Sequence, residues 1–350
     1  MKERTKETLR DGFGVLVNNA AAIRGAKNGP LWLTIVMFVL ALFLPILPIF
    51  ITQLNVKGSS FLNTYTYGLE KTVTSVAMDL KNNRNVVMSI NDNHEIDITE
   101  NGTAIDYSTY DTKTPFAYYT NEVTGQYDLV VYVSDATKGS EKKAVNNAIK
   151  LATYTVGTTT KSDEKENVYT PSYIIIYKNG IYTVIYGSKT TKAIASSYSG
   201  DFKTMKPTNV LDYLLTVNDK DGNAVATSLT SDAYTNGVLA NFKKGLDKSY
   251  ETLKVSNVWG TSGIYLGIFA GVNILMGFII WILTRGKNNP NNYFSIWLTM
   301  KIQARMALSP AIITAIVGIF LIQYVPIAYV LLIGLRVMWI SMKDLRPQQA

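Results

Sequence analysis

The residues best suited to chemistry in this 350-residue chain lie in two short stretches. Asn91-Asp92-Asn93-His94-Glu95-Ile96-Asp97 places the only histidine among three carboxylates, side chains able to hold a divalent ion. A single histidine without a second ligand cluster fits a solvated turn or strand edge better than a metal centre. Asp219-Lys220-Asp221-Gly222-Asn223 has the look of a calcium loop, but Val217 stands at the first ligand position and no Glu closes it, so it reads as a turn. There is no Gly-x-Ser-x-Gly elbow, no Gly-x-x-x-x-Gly-Lys-Ser/Thr phosphate loop and no cysteine. Triad acyl transfer, phosphate-loop ATP hydrolysis, thiol catalysis and disulfides therefore have no familiar footing. The chain reads as a non-enzyme, with no catalytic, cofactor or metal site assigned.

Two other patterns point to binding. Tyr173-Ile174-Ile175-Ile176-Tyr177 and Ile181-Tyr182-Thr183-Val184-Ile185-Tyr186 flank Lys178-Asn179-Gly180, and Asn-Gly suits a type I′ hairpin because both central residues need positive φ. With Asn179-Gly180 as the loop, Tyr177 faces Tyr182, Ile175 faces Val184 and Tyr173 faces Tyr186. Period two then puts Tyr173, Tyr177, Tyr182 and Tyr186 on one face. That face is either a platform for a sugar, peptide or partner, or a core face with hydroxyls at its rim. Gly263, Gly267 and Gly271 are spaced four apart and make a smooth helical strip, with Asn273 just beyond it able to bond across a helix interface. The strip packs either within this chain's own bundle or against a partner subunit.

Charge shows what carries these groups. Lys57 to Lys254 holds 21 basic against 22 acidic residues, leaving 13 basic and 4 acidic residues beside the apolar runs. This is the positive-inside pattern, and it spreads the net charge of +8 over membrane flanks rather than on one nucleic-acid-binding face. Runs of about 20 apolar residues cross a hydrocarbon layer of about 30 Å. The expected order is a cytoplasmic basic amphipathic segment over 1–29, a span over 30–53, an extracellular α+β domain over 54–260 and a second span over 261–284. A cytoplasmic amphipathic linker over 285–306, a hairpin of two spans over 307–342 and a cytoplasmic tail over 343–350 complete it. The first span reads as an uncleaved anchor in a cell membrane, since no small-residue cleavage site follows it. A re-entrant pair is the alternative for the short hairpin helices, and Arg336 within it is expected to snorkel toward the cytoplasmic headgroups.

Inside the domain, Leu62, Tyr65, Leu69, Val73, Val76 and Leu80 form one helical face, as do Val238, Leu239, Phe242, Leu246, Tyr250 and Leu253. The two either form a stalk or pack into the domain. Tyr127 to Val133 reads as a strand, and Glu141 to Ala152 as a helix with Val145 and Ile149 inward. On the inner side, Leu9, Phe13, Leu16, Ala20 and Ile23 form one apolar stripe, and Tyr293, Ile296, Trp297 and Met300 form another beside Lys301 and Arg305. Both suggest helices lying in the headgroup plane.

The short basic lead, single span, outer domain and clustered C-terminal spans end in Gly334-Leu335-Arg336-Val337-Met338-Trp339-Ile340-Ser341-Met342-Lys343. This resembles the maltodextrin-utilisation membrane proteins of Gram-positive bacteria, a family often encoded beside maltose-type ABC permeases. The likeness covers the architecture and the C-terminal quarter, and it brings no catalytic or binding residues to carry over. It implies an accessory role in oligosaccharide uptake, with ABC permease subunits or a sugar-binding protein as partners. A membrane-anchored sensor and a structural partner of another complex are the competing classes.

Overall fold

The computed structural model describes residues 14–62, 68–111, 113–122, 125, 127–155, 171–186, 194–286 and 289–345, with backbone alone for 151–155 and 194–196. The chain divides into two compact units, one of residues 56–255 and one formed by residues 1–55 with 256–350. Each has its own buried apolar clusters.

The inserted unit is α+β. One sheet, ordered β3-β2-β1-β9, joins β1 (Val86–Ile90), β2 (Ile96–Glu100), β3 (Thr103–Ala104) and β9 (Thr208–Asn209). The other runs β4-β5-β6-β7-β8, from β4 (Ala117–Thr120) and β5 (Tyr127–Ser134) to β6 (Ser172–Tyr177), β7 (Gly180–Tyr186) and β8 (Ile194–Asp201). Only β5 and β6 pair in parallel in that sheet, and helix α5 (Gly139–Thr155) lies in their crossover. Leu129, Val131, Val133, Ile174 and Ile185 face one core, shared with α4 (Leu69–Met78), α6 (Val210–Leu215) and the start of α7 (Asp232–Leu283). Val130, Tyr132, Tyr173, Ile175 and Val184 face a second core beneath Val145 and Ile149 of α5. Burial on both faces explains why the β6 sequence is a continuous apolar run rather than an alternation.

The two helical faces expected from Leu62 to Leu80 and from Val238 to Leu253 both enter the first core, so they pack as domain helices. Tyr65 lies outside the described residues. Leu80 sits in a π-helical turn, Asp79–Asn83, that extends α4 and carries the periodic face one residue further.

In the other unit, α7 is joined by α1 (Asn19–Asn28), α2 (Leu31–Phe43), α3 (Ile46–Asn55), α8 (Ile296–Met306), α9 (Leu308–Phe320) and α10 (Val325–Lys343). Among the described residues, three stretches are long and apolar enough to cross a bilayer: α7, Ile296–Phe320 and Ile322–Lys343. The pair α2 and α3 makes a fourth if its 41° bend lies within one span.

The linker expected over 285–306 differs from its sequence reading. Its second half, α8, stacks end to end with α9 as one 25-residue apolar stretch. Thr299, Ile302, Gln303, Arg305 and Met306 are buried, while Tyr293, Ile296 and Trp297 are exposed. The packed face of α8 thus leaves Ile296 and Trp297 outside, with Met300 half-buried beside Gly277. The buried side of α1 is Ala21, Ala22, Gly25 and Ala26, with Leu16, Ala20 and Ile23 half-buried. Small residues let α1 approach α8 closely, which bulky ones would prevent. Leu9 and Phe13 lie outside the described residues.

Candidate functional site

The tyrosine hairpin forms, but in another register and facing inward. Tyr177 pairs with Gly180, Ile175 with Tyr182 and Tyr173 with Val184, so the loop is Lys178-Asn179. Neither loop residue has positive φ, which rules out the type I′ turn. The Asn-Gly pair is used otherwise. A Cβ at Gly180 would lie 2.4 Å or so from the Gly200 carbonyl, so glycine serves the approach of β7 to β8. Asn179 donates its side-chain amide to the Thr137 carbonyl at 3.2 Å. A two-residue slip preserves faces, so Tyr173, Tyr177, Tyr182 and Tyr186 remain together.

That shared face is covered by α5 and is not presented to a ligand. Tyr173 is 1% and Tyr177 3% exposed, Tyr186 is buried and Tyr182 half-buried. The Tyr177 hydroxyl donates to the Lys142 carbonyl at 3.0 Å, and the Tyr173 hydroxyl to Asn146 Oδ1 at 3.3 Å. Burial pushes the Tyr177 hydroxyl well above the usual phenol range. The face therefore holds α5 on the sheet. The sequence pattern could not separate platform from core because both ask for tyrosine beside aliphatics on alternate positions.

The two stretches with chemical potential are turns. His94, at φ 60°, lies in the β1–β2 connection with Nδ1 3.3 Å from the Met205 carbonyl oxygen. Asp219 Oδ1 accepts from the backbone N–H groups of Asp221 and Asn223 at 2.9 and 2.8 Å, and Gly222 takes φ 84°. Among the described residues, no three His, Cys, Asp or Glu side chains converge on a point where a metal could sit.

What the inserted unit does contain is an apolar cavity of about 110 Å³ in its first core. Val73 of α4, Leu80 of the π-helical turn after it, Met88 of β1, Ile176 of β6 and Phe242 of α7 line it. Nothing in the periodicity of these segments announces a void, because a lining residue and a close-packed residue have the same pattern.

The membrane-type unit concentrates its polar groups at Asn273 and at two arginines. Asn273 Nδ2 donates to the Tyr329 hydroxyl at 2.7 Å and to the Phe269 carbonyl at 2.8 Å. Its Oδ1 accepts from Gln303 Nε2 at 3.2 Å, so α7, α8 and α10 share one buried network. Such interhelical bonds contribute about 0.6–2 kcal/mol each in a bilayer. Arg305, 1% exposed, donates to Thr34 Oγ1 at 2.9 Å and the Pro30 carbonyl at 3.3 Å. Gly25 and Gly29 leave the room its guanidinium occupies.

Arg336 does not snorkel. It is 8% exposed and donates to the Met306 carbonyl at 2.7 Å, to Asn19 Oδ1 at 3.3 Å, and to Ser309 Oγ and the Val15 carbonyl. The residues before α1 and the carbonyl end of α8 supply the acceptors that headgroups were expected to supply. This guanidinium therefore binds the N-terminal segment to the bundle.

Among the described residues, no neighbour packs on the glycine strip. A Cβ added at Gly263, Gly267 or Gly271 meets nothing within 4 Å, and all three residues are exposed. The close approach of helices falls one turn and a half further along, where a Cβ on Gly277 would lie 2.5 Å from Met300 Sδ. Asn273 thus bonds across an interface on the face of α7 away from the strip.

No family model, no curated protein and no solved structure matches this chain.

Proposed function

We propose that this chain is a non-enzymatic accessory protein of a membrane complex, multi-pass in a cell membrane, with both termini cytoplasmic and residues 54–260 on the outer side. The complex is an ABC importer of maltodextrins by the resemblance of the C-terminal quarter, with its permease subunits or sugar-binding protein as partners. The observation that carries the accessory role is the bare strip of Gly263, Gly267 and Gly271 on a helix apolar enough to span a bilayer. Glycine in a helix interior is less favourable than alanine by about 1 kcal/mol, and here it serves no approach among the described residues. A partner's helix is what such a surface accommodates. The buried tyrosine face takes no part, so direct sugar contact is not assigned to it.

Two measurements test this reading. Gly267→Leu should leave thermal stability in detergent unchanged while lowering at least threefold the amount of permease subunit recovered with the protein from native membranes. A deletion strain should lose maltodextrin uptake and keep glucose uptake. Unchanged maltodextrin uptake would defeat the transport assignment, and recovery of a kinase or regulator in place of permease subunits would favour the sensor class.

A further inference from the structure

The cavity inside the inserted unit has no part in the accessory role, and its walls describe what would fit it. They are carbon almost throughout, with Ser249 and Tyr213 the only hydroxyl-bearing residues among them. The Ser249 hydroxyl is already bonded to the Leu246 carbonyl at 3.0 Å and to the Tyr198 hydroxyl at 2.5 Å. Neither a sugar hydroxyl nor an ordered water finds the two to four polar partners it needs there. A cavity of about 150 Å³ lined by Leu, Ile and Phe takes benzene. The 110 Å³ here matches a run of about five carbons, and Met88 and Met205 give its walls adaptable side chains.

The cavity also has a way in. Gly245, Tyr213 and Leu214 on its wall are half-buried, and a Cβ at Gly245 meets nothing within 4 Å. A larger residue at this helical position would be accommodated and would be better for the helix, yet glycine keeps the opening free. Lys248, three residues on from Gly245, and Lys244, one turn before Lys248, are both exposed and share the helix surface next to Gly245. We propose that the inserted unit binds the alkyl end of a small anionic amphiphile, a medium-chain carboxylate, with its tail in the cavity and its head at Gly245 beside Lys244 and Lys248.

The test uses the full chain in lipid nanodiscs, hexanoate as the probe and hydrogen exchange at amides of β1 and β5 as the readout. Saturating hexanoate should slow exchange of the Met88 and Val131 amides at least fivefold, while maltotriose leaves them unchanged. Gly245→Leu, which fills the opening, should slow the same amides without hexanoate and abolish the response to it. Lys244→Gln with Lys248→Gln should weaken hexanoate at least threefold and leave hexanol binding intact. No hexanoate response in the native chain, or an equal response in Gly245→Leu, overturns the proposal. Unchanged hexanoate affinity in the double lysine variant overturns the anionic head.

Discussion

At the scale of single residues, two arginines do different work. In the inserted unit, Arg84 donates to both carboxylate oxygens of Glu100, at 2.8 and 2.9 Å, and to the Phe116 carbonyl, with its guanidinium 4.7 Å above the Phe116 ring. These bonds from Arg84 hold Glu100 below the usual carboxylate range. The unfolded chain therefore takes up the Glu100 proton before the folded chain does. The stabilisation is whole above the ordinary value of 4.5 and is lost as pH falls through the lowered folded value. Arg84→Gln should cost roughly 1 kcal/mol near pH 7 and flatten the acid side of the stability profile, read by denaturant titration across pH 3–7. A profile that keeps its slope would place the acid sensitivity elsewhere. Arg336 instead meets carbonyl and hydroxyl oxygens, with no carboxylate partner among the described residues. Arg336→Met should speed amide exchange over residues 19–26 at least tenfold and lower thermal stability in detergent, because it removes the donor shared by Val15, Asn19, Met306 and Ser309. Exchange limited to the native rate would mean that α1 is held by its alanine face alone.

At the scale of elements, glycines divide into those that admit a neighbour and those that do not. Gly277 admits Met300, and Gly318 admits Val325 and Pro48, where an added Cβ would lie 2.7 and 2.8 Å away. Gly277→Leu should therefore destabilise the folded chain in detergent by several degrees, in contrast to the neutral effect expected at Gly267, with melting followed by tryptophan fluorescence. Equal effects at both positions would mean that α7 is rotated from its assigned orientation. A four-residue glycine spacing declares a smooth strip but not which neighbour fills it, and the single Gly277 that packs has no spacing to declare it. The β6–β7 hairpin was legible as two strands and as one shared face, since both depend on period two. Its register was not legible, because the Asn-Gly pair reads as a turn unless one knows that β8 passes against Gly180. The inward faces of α1 and α8 were not legible for a related reason: in a bundle of apolar helices the small or polar face can be the inward one.

At the scale of the whole molecule, one α+β unit is inserted between helices of a second, apolar unit, and both have cores of their own. The segregation of charge made an α+β domain apart from apolar helices readable from sequence. The cavity and the arginine contacts were not readable, since both depend on residues far apart in the chain meeting in three dimensions. The accessory role requires that the inserted unit face the outside while both chain ends stay in the cytoplasm. Because the chain has no cysteine, single cysteines report this directly. Lys27, Lys138, Asp221 and Lys343 are all exposed, so folding does not hide them. On intact cells an impermeant thiol reagent should label Lys138→Cys and Asp221→Cys, and should label Lys27→Cys and Lys343→Cys only after the membrane is broken. Labelling of Lys343→Cys on intact cells, with Lys138→Cys protected, would contradict the account.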